Sequence, residues 1–419
     1  MKDGQAEAAS IRRNMLFNTI GSLTYQGCLW ITTVLVVILS DGYSASGILS
    51  FAMTVGNMFT AVGTYNMRTY QISDTKNEYS QSNYVGFRIV TLAIGAVSMA
   101  IYSLFVAPDS LTYIAVLAFL LFKIDESFCD VLYGVDQRGE RMDYIGISQF
   151  VRGILLAASF SAVLYQSHNI VFSILAMYPT CLLITLLFDI PHAKRIDTIK
   201  PDLSARQARH LLKQCLPLVL ETLFLGMVVS VVRQYYANAF GNDRLGIYAA
   251  VATPAVLVQA AARYLYAPTL VPLSQRWNES PQDSFLPYLK KTLRMMLVAI
   301  LIFVPVFAFI GPYALELVYG SRVQGYTYLF TNVLICTAAI AIFYFLSDVL
   351  IICRDIQGPL VAAAVSLAVS LALMIPLETF FDMQGINYTI IIANLVGIAI
   401  SIVCLRKNNA FHVAESSRV

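Results

Sequence analysis

The sequence predicts an all-α polytopic membrane protein with about twelve transmembrane helices. Composition is the first reason. Hydrophobic residues make up 58% of the 419 and charged residues 13%, against roughly 25% charged in a soluble domain. Mean hydropathy is +0.68. The second reason is spacing. Apolar runs of about 20 residues, the length that crosses hydrocarbon as a helix, fall at roughly 15–39, 45–66, 85–106, 111–134, 143–164, 169–189, 214–238, 245–267, 292–311, 326–350, 358–377 and 384–404. The third is where the basic residues lie. With the N-terminus inside, Arg12, Arg13, Arg68, Arg138, Arg141, Lys194, Arg195, Lys290, Lys291, Arg406 and Lys407 fall on inside segments, and only Arg244 and Arg322 fall on outside loops. The positive-inside rule therefore places both termini in the cytoplasm, with the protein in the cytoplasmic membrane.

The first span follows a polar stretch ending in Arg12 and Arg13. It is too long for a signal-peptide core and lacks a small-residue cleavage site, so it reads as retained. The segment Gly47-Ile48 with Thr54 and Tyr65 aligns without gaps on Gly246-Ile247 with Thr253 and Tyr264. An offset of six spans gives two halves of the same orientation, related by an axis along the membrane normal. The expected organisation is a six-helix bundle over 1–200, an amphipathic cytoplasmic linker over 201–213 and a second six-helix bundle over 214–419. In the linker, Asp202 or Ser204 can cap a short helix that presents Arg206, Arg209 and Lys213 on one face, with Leu203, Leu211 and Leu212 free to dip into lipid. An ordinary solvated loop is the other reading of that segment.

The chemistry lies in the charges that remain at membrane depth, where each costs at least ~2.5 kcal/mol on insertion scales and so faces a bundle interior or a wet cavity. The fourth span carries Lys123, Asp125, Glu126 and Asp130, with Lys123, Glu126 and Asp130 on one helical face. Arg152 lies mid-depth in the fifth span, Glu221 and Arg233 in the seventh, Arg263 near the inner end of the eighth and Asp348 near the inner end of the tenth. One reading is a water-filled cavity between the halves in which Lys123, Arg152, Arg233 and Arg263 attract an anionic head group, since a guanidinium can hold two phosphate oxygens at once. The other is internal pairing, Lys123 with Glu126 and Arg152 with Asp125 or Asp130, with Arg263 and Asp348 snorkelling to the interface. Asn18, Gln26, Asn57 and Asn66 can line the same cavity or bond between helices. Tyr235, Tyr236, Tyr264 and Tyr266 flank the arginines and can stack on sugars.

Several classes are excluded. Gly134 and Gly139 have phosphate-loop spacing, but Glu140 stands where lysine is needed. The inside loops are too short for a nucleotide-binding domain, so transport driven by ATP hydrolysis in this chain is ruled out. No potassium-type filter sequence occurs. The seven cysteines lie in or at the ends of apolar segments without a CxxC pair, and the four histidines are scattered. No metal site, cofactor, catalytic residue or nucleic-acid partner is expected.

Arg13-Asn14 with Asn18 and Gly21, then Gly47-Ile48-Leu49-Ser50 entering the second span, resemble the polysaccharide transporter family of the multidrug/oligosaccharidyl-lipid/polysaccharide (MOP) flippase superfamily. The resemblance extends over the whole chain. It implies two six-helix bundles working by alternating access, and a flippase that moves an undecaprenyl-diphosphate-linked oligosaccharide from the inner to the outer leaflet for surface polysaccharides such as O-antigen, alongside glycan assembly enzymes. Some relatives carry arginines in the first two spans; this chain has amides there, so the role transfers and the positions do not. On this reading Arg68, Arg88 and Arg263 draw the head group in from the cytoplasm. Lys123 and Arg152 pair with it at mid-depth, Arg233 leads it outward, and Glu126, Asp130 or Glu221 takes up a proton or sodium ion. A multidrug or organic-cation antiporter of the same superfamily would prefer acidic cavity residues. A membrane glycan polymerase would need a sizeable outside loop, and the one around Glu316 and Arg322 is short.

Overall fold

The computed structural model describes residues 11–40, 42–74, 78–279, 281–353 and 355–416. Its helices are α1 (Ile11–Leu39), α2 (Ser44–Thr64), α3 (Met67–Ser73), α4 (Gln81–Val106), α5 (Ser110–Arg138), α6 (Met142–Ser167), α7 (Ile170–Ile184), α8 (Ile190–Ile196), α9 (Ala205–Phe240), α10 (Asn242–Glu279), α11 (Leu286–Tyr319), α12 (Leu329–Ile352), α13 (Gln357–Phe381) and α14 (Met383–Ser416). A π-helical turn, Thr185–Asp189, joins α7 to α8 as one rod. With α3 set aside, twelve long helices remain among the described residues. Ten are long and apolar enough to cross a membrane. The other two, α5 and α10, match them in length, but α5 carries Lys123, Asp125, Glu126, Asp130 and Asp136 within its 29 residues. Outward faces are bare hydrocarbon: Leu104 and Phe105 of α4 and Leu301, Phe309 and Leu317 of α11 are all exposed. Water would not tolerate such a surface, and lipid covers it. The chain is a multi-pass membrane protein.

Two compact units divide it, Met1–Val219 with Phe240–Gly246, and Leu220–Ala239 with Ile247–Val419. In the first, α1 packs along α6, α2 along α4 and α5, and α7 against α5 and α6. Small residues permit this, because helices in lipid gain little from apolar contact and hold by close packing. A Cβ on Gly21 would lie 2.0 Å from the Gly146 carbonyl oxygen, and one on Gly146 would lie 2.1 Å from that of Phe17. About two turns before Gly21, Asn14 donates to the Glu140 carbonyl at 2.7 Å and accepts from the Asp143 amide at 3.0 Å. Arg13 pairs with Asp143 at 3.0 Å. The residues at the start of α1 thus fasten it to α6.

Helix α2 ends in two left-handed residues, Tyr65 (φ 51°) and Asn66 (φ 52°). Asn66 therefore lies in a turn and not within the second span as expected. The Gly63 carbonyl, left without a helical donor by that turn, accepts from Arg88 at 3.1 Å and Thr91 at 2.7 Å. After α3, Asp74 accepts from the amides of Glu78 and Tyr79 and from the Tyr84 hydroxyl. Burial alone would raise its carboxyl pKa; the three donors more than offset it and hold it below the ordinary value.

The segment expected as a separate linker helix is the start of α9. Ser204 and Gln207 cap it reciprocally, and the helix then runs unbroken for 36 residues through Pro217. Leu211, Cys215 and Val219 recur at helical spacing inside a protein core with Tyr84, Phe87 and Val131, and Leu203 and Leu212 pack against it. These leucines therefore meet protein, correcting the expectation that they dip into lipid. The coil before α9 is tied to the start of α4 by Asn83 donating to the Asp202 carbonyl and Ser82 to that of Thr198.

In the second unit α14 packs on α12 and α13, and α11 on α12. One core gathers Tyr266, Trp277, Phe285, Leu289, Phe345 and Leu405. A smaller one joins Leu225 of α9 to Phe343, Ala362 and Ala363.

Two outcomes follow from these contacts. Gly146→Leu forces α1 and α6 apart; overpacking of this kind costs ~1–3 kcal/mol or more, so the detergent-purified variant should melt at a lower temperature than the wild type, while Gly27→Leu, where a Cβ meets nothing within 4 Å, should not. Asp74 carries a lowered carboxyl pKa, so its stabilisation is present above the ordinary carboxylate range and lost as pH falls through the lowered value. Hydrogen-exchange protection of the Glu78 and Tyr79 amides should fall with acidification in the wild type, and Asp74→Ala should lower it at neutral pH.

Candidate functional site

The site grows from α5. Its residues 123, 126 and 130 share one face, as the spacing requires, and that face borders a cavity of about 270 Å³ inside the first unit. Tyr25 and Gln26 of α1, Asn57, Thr60 and Thr64 of α2, Arg68 of α3, and Gln149 and Arg152 of α6 complete the lining. Two of the expected amides, Gln26 and Asn57, are there.

Every cation at this cavity is met by a carboxylate. Lys123 pairs with Glu126 on its own helix, and Glu126 also accepts from the Tyr25 hydroxyl at 2.5 Å. Asp130 takes Arg88 at 2.8 Å and Arg68 at 3.5 Å. Arg68 reaches on to Gln137 at 3.0 Å and lies over the Tyr133 ring. Arg152 pairs with Asp125 at 2.5 Å and Asp189 at 2.9 Å, and donates to Thr185 at 2.8 Å and the Cys129 sulfur at 2.9 Å.

This geometry corrects two expectations. Arg152 is not available to phosphate: its side chain is 2% exposed and its guanidinium is held between two carboxylates exposed by 2% or less. Arg88 is not an entrance residue: it is 0% exposed and clamps α4 to α2 and α5 through Gly63 and Asp130. Arg68, 27% exposed, does reach the cavity. Asp130 is engaged by two arginines, and Glu126 by Lys123 and Tyr25.

Asp189 and Thr185 escaped the sequence reading. They lie four residues apart at the two ends of the π turn, which brings both to Arg152. The available signal was an acid closing the apolar run that directly follows the helix of a mid-membrane arginine.

In the second unit, Arg233 lies over the Tyr248 ring at 5.5 Å, and Tyr248 donates to Asn387 at 2.8 Å. Among the described residues no carboxylate lies within ion-pair distance of Arg233, unlike Arg152. Glu221 is buried and accepts from Ser347 at 2.5 Å and Thr222 at 3.2 Å. Tyr236 is engaged by Asp382, and Tyr266 is core, edge-on to Phe345. Neither is placed to stack on a sugar. The side chains of Arg263 and Tyr264 lie outside the described residues. Glu378 is a further residue not foreseen: it is 0% exposed, and neither carboxylate oxygen has a hydrogen-bond partner among the described residues.

The Arg152 cluster makes a specific prediction. Arg152→Gln leaves Asp125 and Asp189 buried without their cation, a loss of roughly 3–5 kcal/mol, read as a lower melting temperature and poor expression. Adding Asp125→Asn and Asp189→Asn should recover most of it. Normal melting of Arg152→Gln with lost transport would instead make Arg152 a substrate contact.

No family model matches the chain. The capsular polysaccharide biosynthesis protein CapF of Staphylococcus aureus is 23% identical over 253 residues, a match that covers 59% of this chain and 63% of that protein. The chain thus spans less than two thirds of that relative's length. A multidrug-resistance transporter of the MATE family, in its inward-facing form, superposes with a TM-score of 0.70 at 12% identity, covering 96% of this chain and 99% of the other. The lipid II flippase MurJ, in an inward closed form, gives 0.67 at 13% identity over 94% and 90%. Twelve long helices among the described residues and near-complete superposition on both transporters give this chain the fold of the MOP flippase superfamily.

Proposed function

We propose that this protein is a flippase for a lipid-linked oligosaccharide with a diphosphate head group, of the undecaprenyl-diphosphate kind, serving surface polysaccharide synthesis by alternating access. The observation that carries this reading is Arg233. A guanidinium inside a membrane-spanning helix, with no carboxylate within ion-pair distance among the described residues, is costly unless an anion visits it. A diphosphate supplies that anion, and a planar guanidinium can bind two of its oxygens. The lipid tail stays in hydrocarbon while the head group passes. Lys123 and Arg68, both at the cavity of the first unit, are the further contacts, with Arg263 nearer the inner end of α10. Glu221, buried without a basic partner within ion-pair distance among the described residues, suits ion coupling. The orientation follows the positive-inside rule, with both termini cytoplasmic. The likeness to a capsular polysaccharide protein and to a lipid II flippase supports the substrate class. No step of this reading requires catalysis.

One observation favours a second reading. The cavity of the first unit mixes both signs of charge, and the MATE transporter superposes slightly better than the flippase. An organic-cation antiporter would share this fold.

Depletion separates the two. A flippase predicts that the diphosphate-linked oligosaccharide accumulates on the inner leaflet while surface glycan falls. An antiporter predicts unchanged lipid intermediates and sensitivity to cationic drugs. Within the flippase reading, Arg233→Ala should reduce surface glycan at least about tenfold, equivalent to ~1.4 kcal/mol, at normal protein level. Undiminished export by that variant would remove Arg233 from the path.

A further inference from the structure

Small-molecule sites are usually lined by apolar side chains with a few polar groups among them. The cavity of the first unit is not. Every residue that borders it carries a nitrogen, oxygen or sulfur in its side chain, and no aliphatic or phenylalanine side chain is among them. Its ions are already matched: Lys123 with Glu126, Arg68 and Arg88 with Asp130, and Arg152 with Asp125 and Asp189. Net charge therefore does not select what enters. Hydrogen bonding does.

The neutral polar groups are the ones left without partners. Gln26 of α1 and Asn57 of α2 are exposed at the cavity and make no hydrogen bond among the described residues. Gln149 of α6 accepts from Ser22 at 2.6 Å through its carbonyl oxygen, and its NH2 has no acceptor among them. Ser127 of α5 borders the same space at 1% exposure, and its hydroxyl is unpartnered too. A serine in a helix can bond back to the carbonyl four residues earlier; Ser127 does not. Buried polar atoms left this way are costly until a ligand or water answers them.

These groups have an order along the membrane. On α2, Asn57, Thr60 and Thr64 share one helical face over ~10 Å, at 1.5 Å per residue, and lead toward Arg68 on α3 at the inner end. Arg68 is the cation that can turn to a new anion, because Asp130 keeps Arg88 at 2.8 Å when Arg68, at 3.5 Å, lets go. Lys123 carries three donors and can reach a ligand oxygen while it keeps Glu126. Glu126 and Asp130, 24% and 25% exposed, have lone pairs to accept from hydroxyls without giving up their cations.

We infer that this cavity is a binding site for one uncharged sugar ring of the head group, with Arg68 on the adjoining phosphate. Asn57, Gln26, the Gln149 NH2 and Ser127 bond the hydroxyl or acetamido groups of the ring. A volume of about 270 Å³ lies just below the ~300–1,000 Å³ of small-ligand sites, so one ring enters and the rest of the glycan stays outside. A uronic acid is rejected, because its carboxylate would lie against Glu126 and Asp130 beside cations that are already paired. An apolar organic cation finds no apolar wall. The inference rests on the diphosphate-linked reading above and names the part of the substrate that this cavity reads.

The test is calorimetric titration of the purified full-length protein in lipid nanodiscs. The probes are dimethyl pyrophosphate and methyl diphosphates carrying glucose, galactose, N-acetylglucosamine or glucuronic acid. At least one uncharged glycosyl probe should bind about tenfold or more tighter than dimethyl pyrophosphate, the gain expected of two or so net hydrogen bonds. The glucuronosyl probe should gain nothing. The double variant Gln26→Ala/Asn57→Ala should lose the sugar's advantage over dimethyl pyrophosphate, and Arg68→Gln should weaken every probe by a similar factor. No advantage for any uncharged sugar, an equal advantage for the glucuronosyl probe, or an advantage untouched in the double variant overturns the sugar site and leaves the diphosphate reading standing. No binding of any diphosphate by the wild type removes that reading and this inference with it. Should the double variant fail to fold, the wild-type contrast between uncharged and glucuronosyl probes still decides.

Discussion

A charge inside a membrane must be answered by another charge, and the first unit is organised around that requirement. Arg88 and Arg152 are large cations at essentially zero exposure. Each fixes the positions of several helices. Arg152 on α6 needs Asp125 from α5 and Asp189 from the π turn; Arg88 on α4 needs Asp130 from α5 and the Gly63 carbonyl at the end of α2. Helix α5, the most highly charged of the long helices in this unit, is therefore also the one that α2, α4 and α7 pack against. Its low hydropathy reflects its place at the centre, not a failure to span.

Close packing makes those pairings reachable. The Gly21–Gly146 crossing lets α1 and α6 touch backbone to backbone. Tyr25 and Arg152, about one and two turns further along their helices, then lie beside the same stretch of α5. A bulkier residue at the crossing would lift both away from Glu126 and Asp125. Helix geometry and site chemistry are thus one constraint. The fold itself is shared by drug exporters and a lipid flippase, so fold does not choose between them; the charges inside it must.

Much of this was legible in the sequence. Span number and the presence of buried ions follow from hydropathy and from the cost of charge in lipid, which act locally and leave periodic traces. The i, i+3 pairing of Lys123 with Glu126 was readable for the same reason. What stayed hidden was three-dimensional assignment. Arg152 has no acid one turn away on its own helix, which argued for a free guanidinium, yet its partners come from α5 and from a turn beyond α7. Arg88 sits near a helix start, which argued for an interface, yet the left-handed end of α2 gives it a carbonyl to bind in the interior. The leucines of the linker carry an amphipathic pattern that fits lipid and protein equally well, and only the core around Tyr84 decides between them.

The π turn at Thr185–Asp189 has a consequence for comparing this chain with its relatives. Its i+5 hydrogen-bonded ring holds one residue more than an α-helical turn. Against a relative whose sixth rod is uninterrupted, an ungapped alignment would slip by one position from this turn onward. Asp189 would then face whatever apolar residue occupies that register, and the acid that neutralises Arg152 would look like an isolated oddity. Alignments across this rod need a single-residue gap placed within 185–189 before any judgement about which buried charges the relatives share.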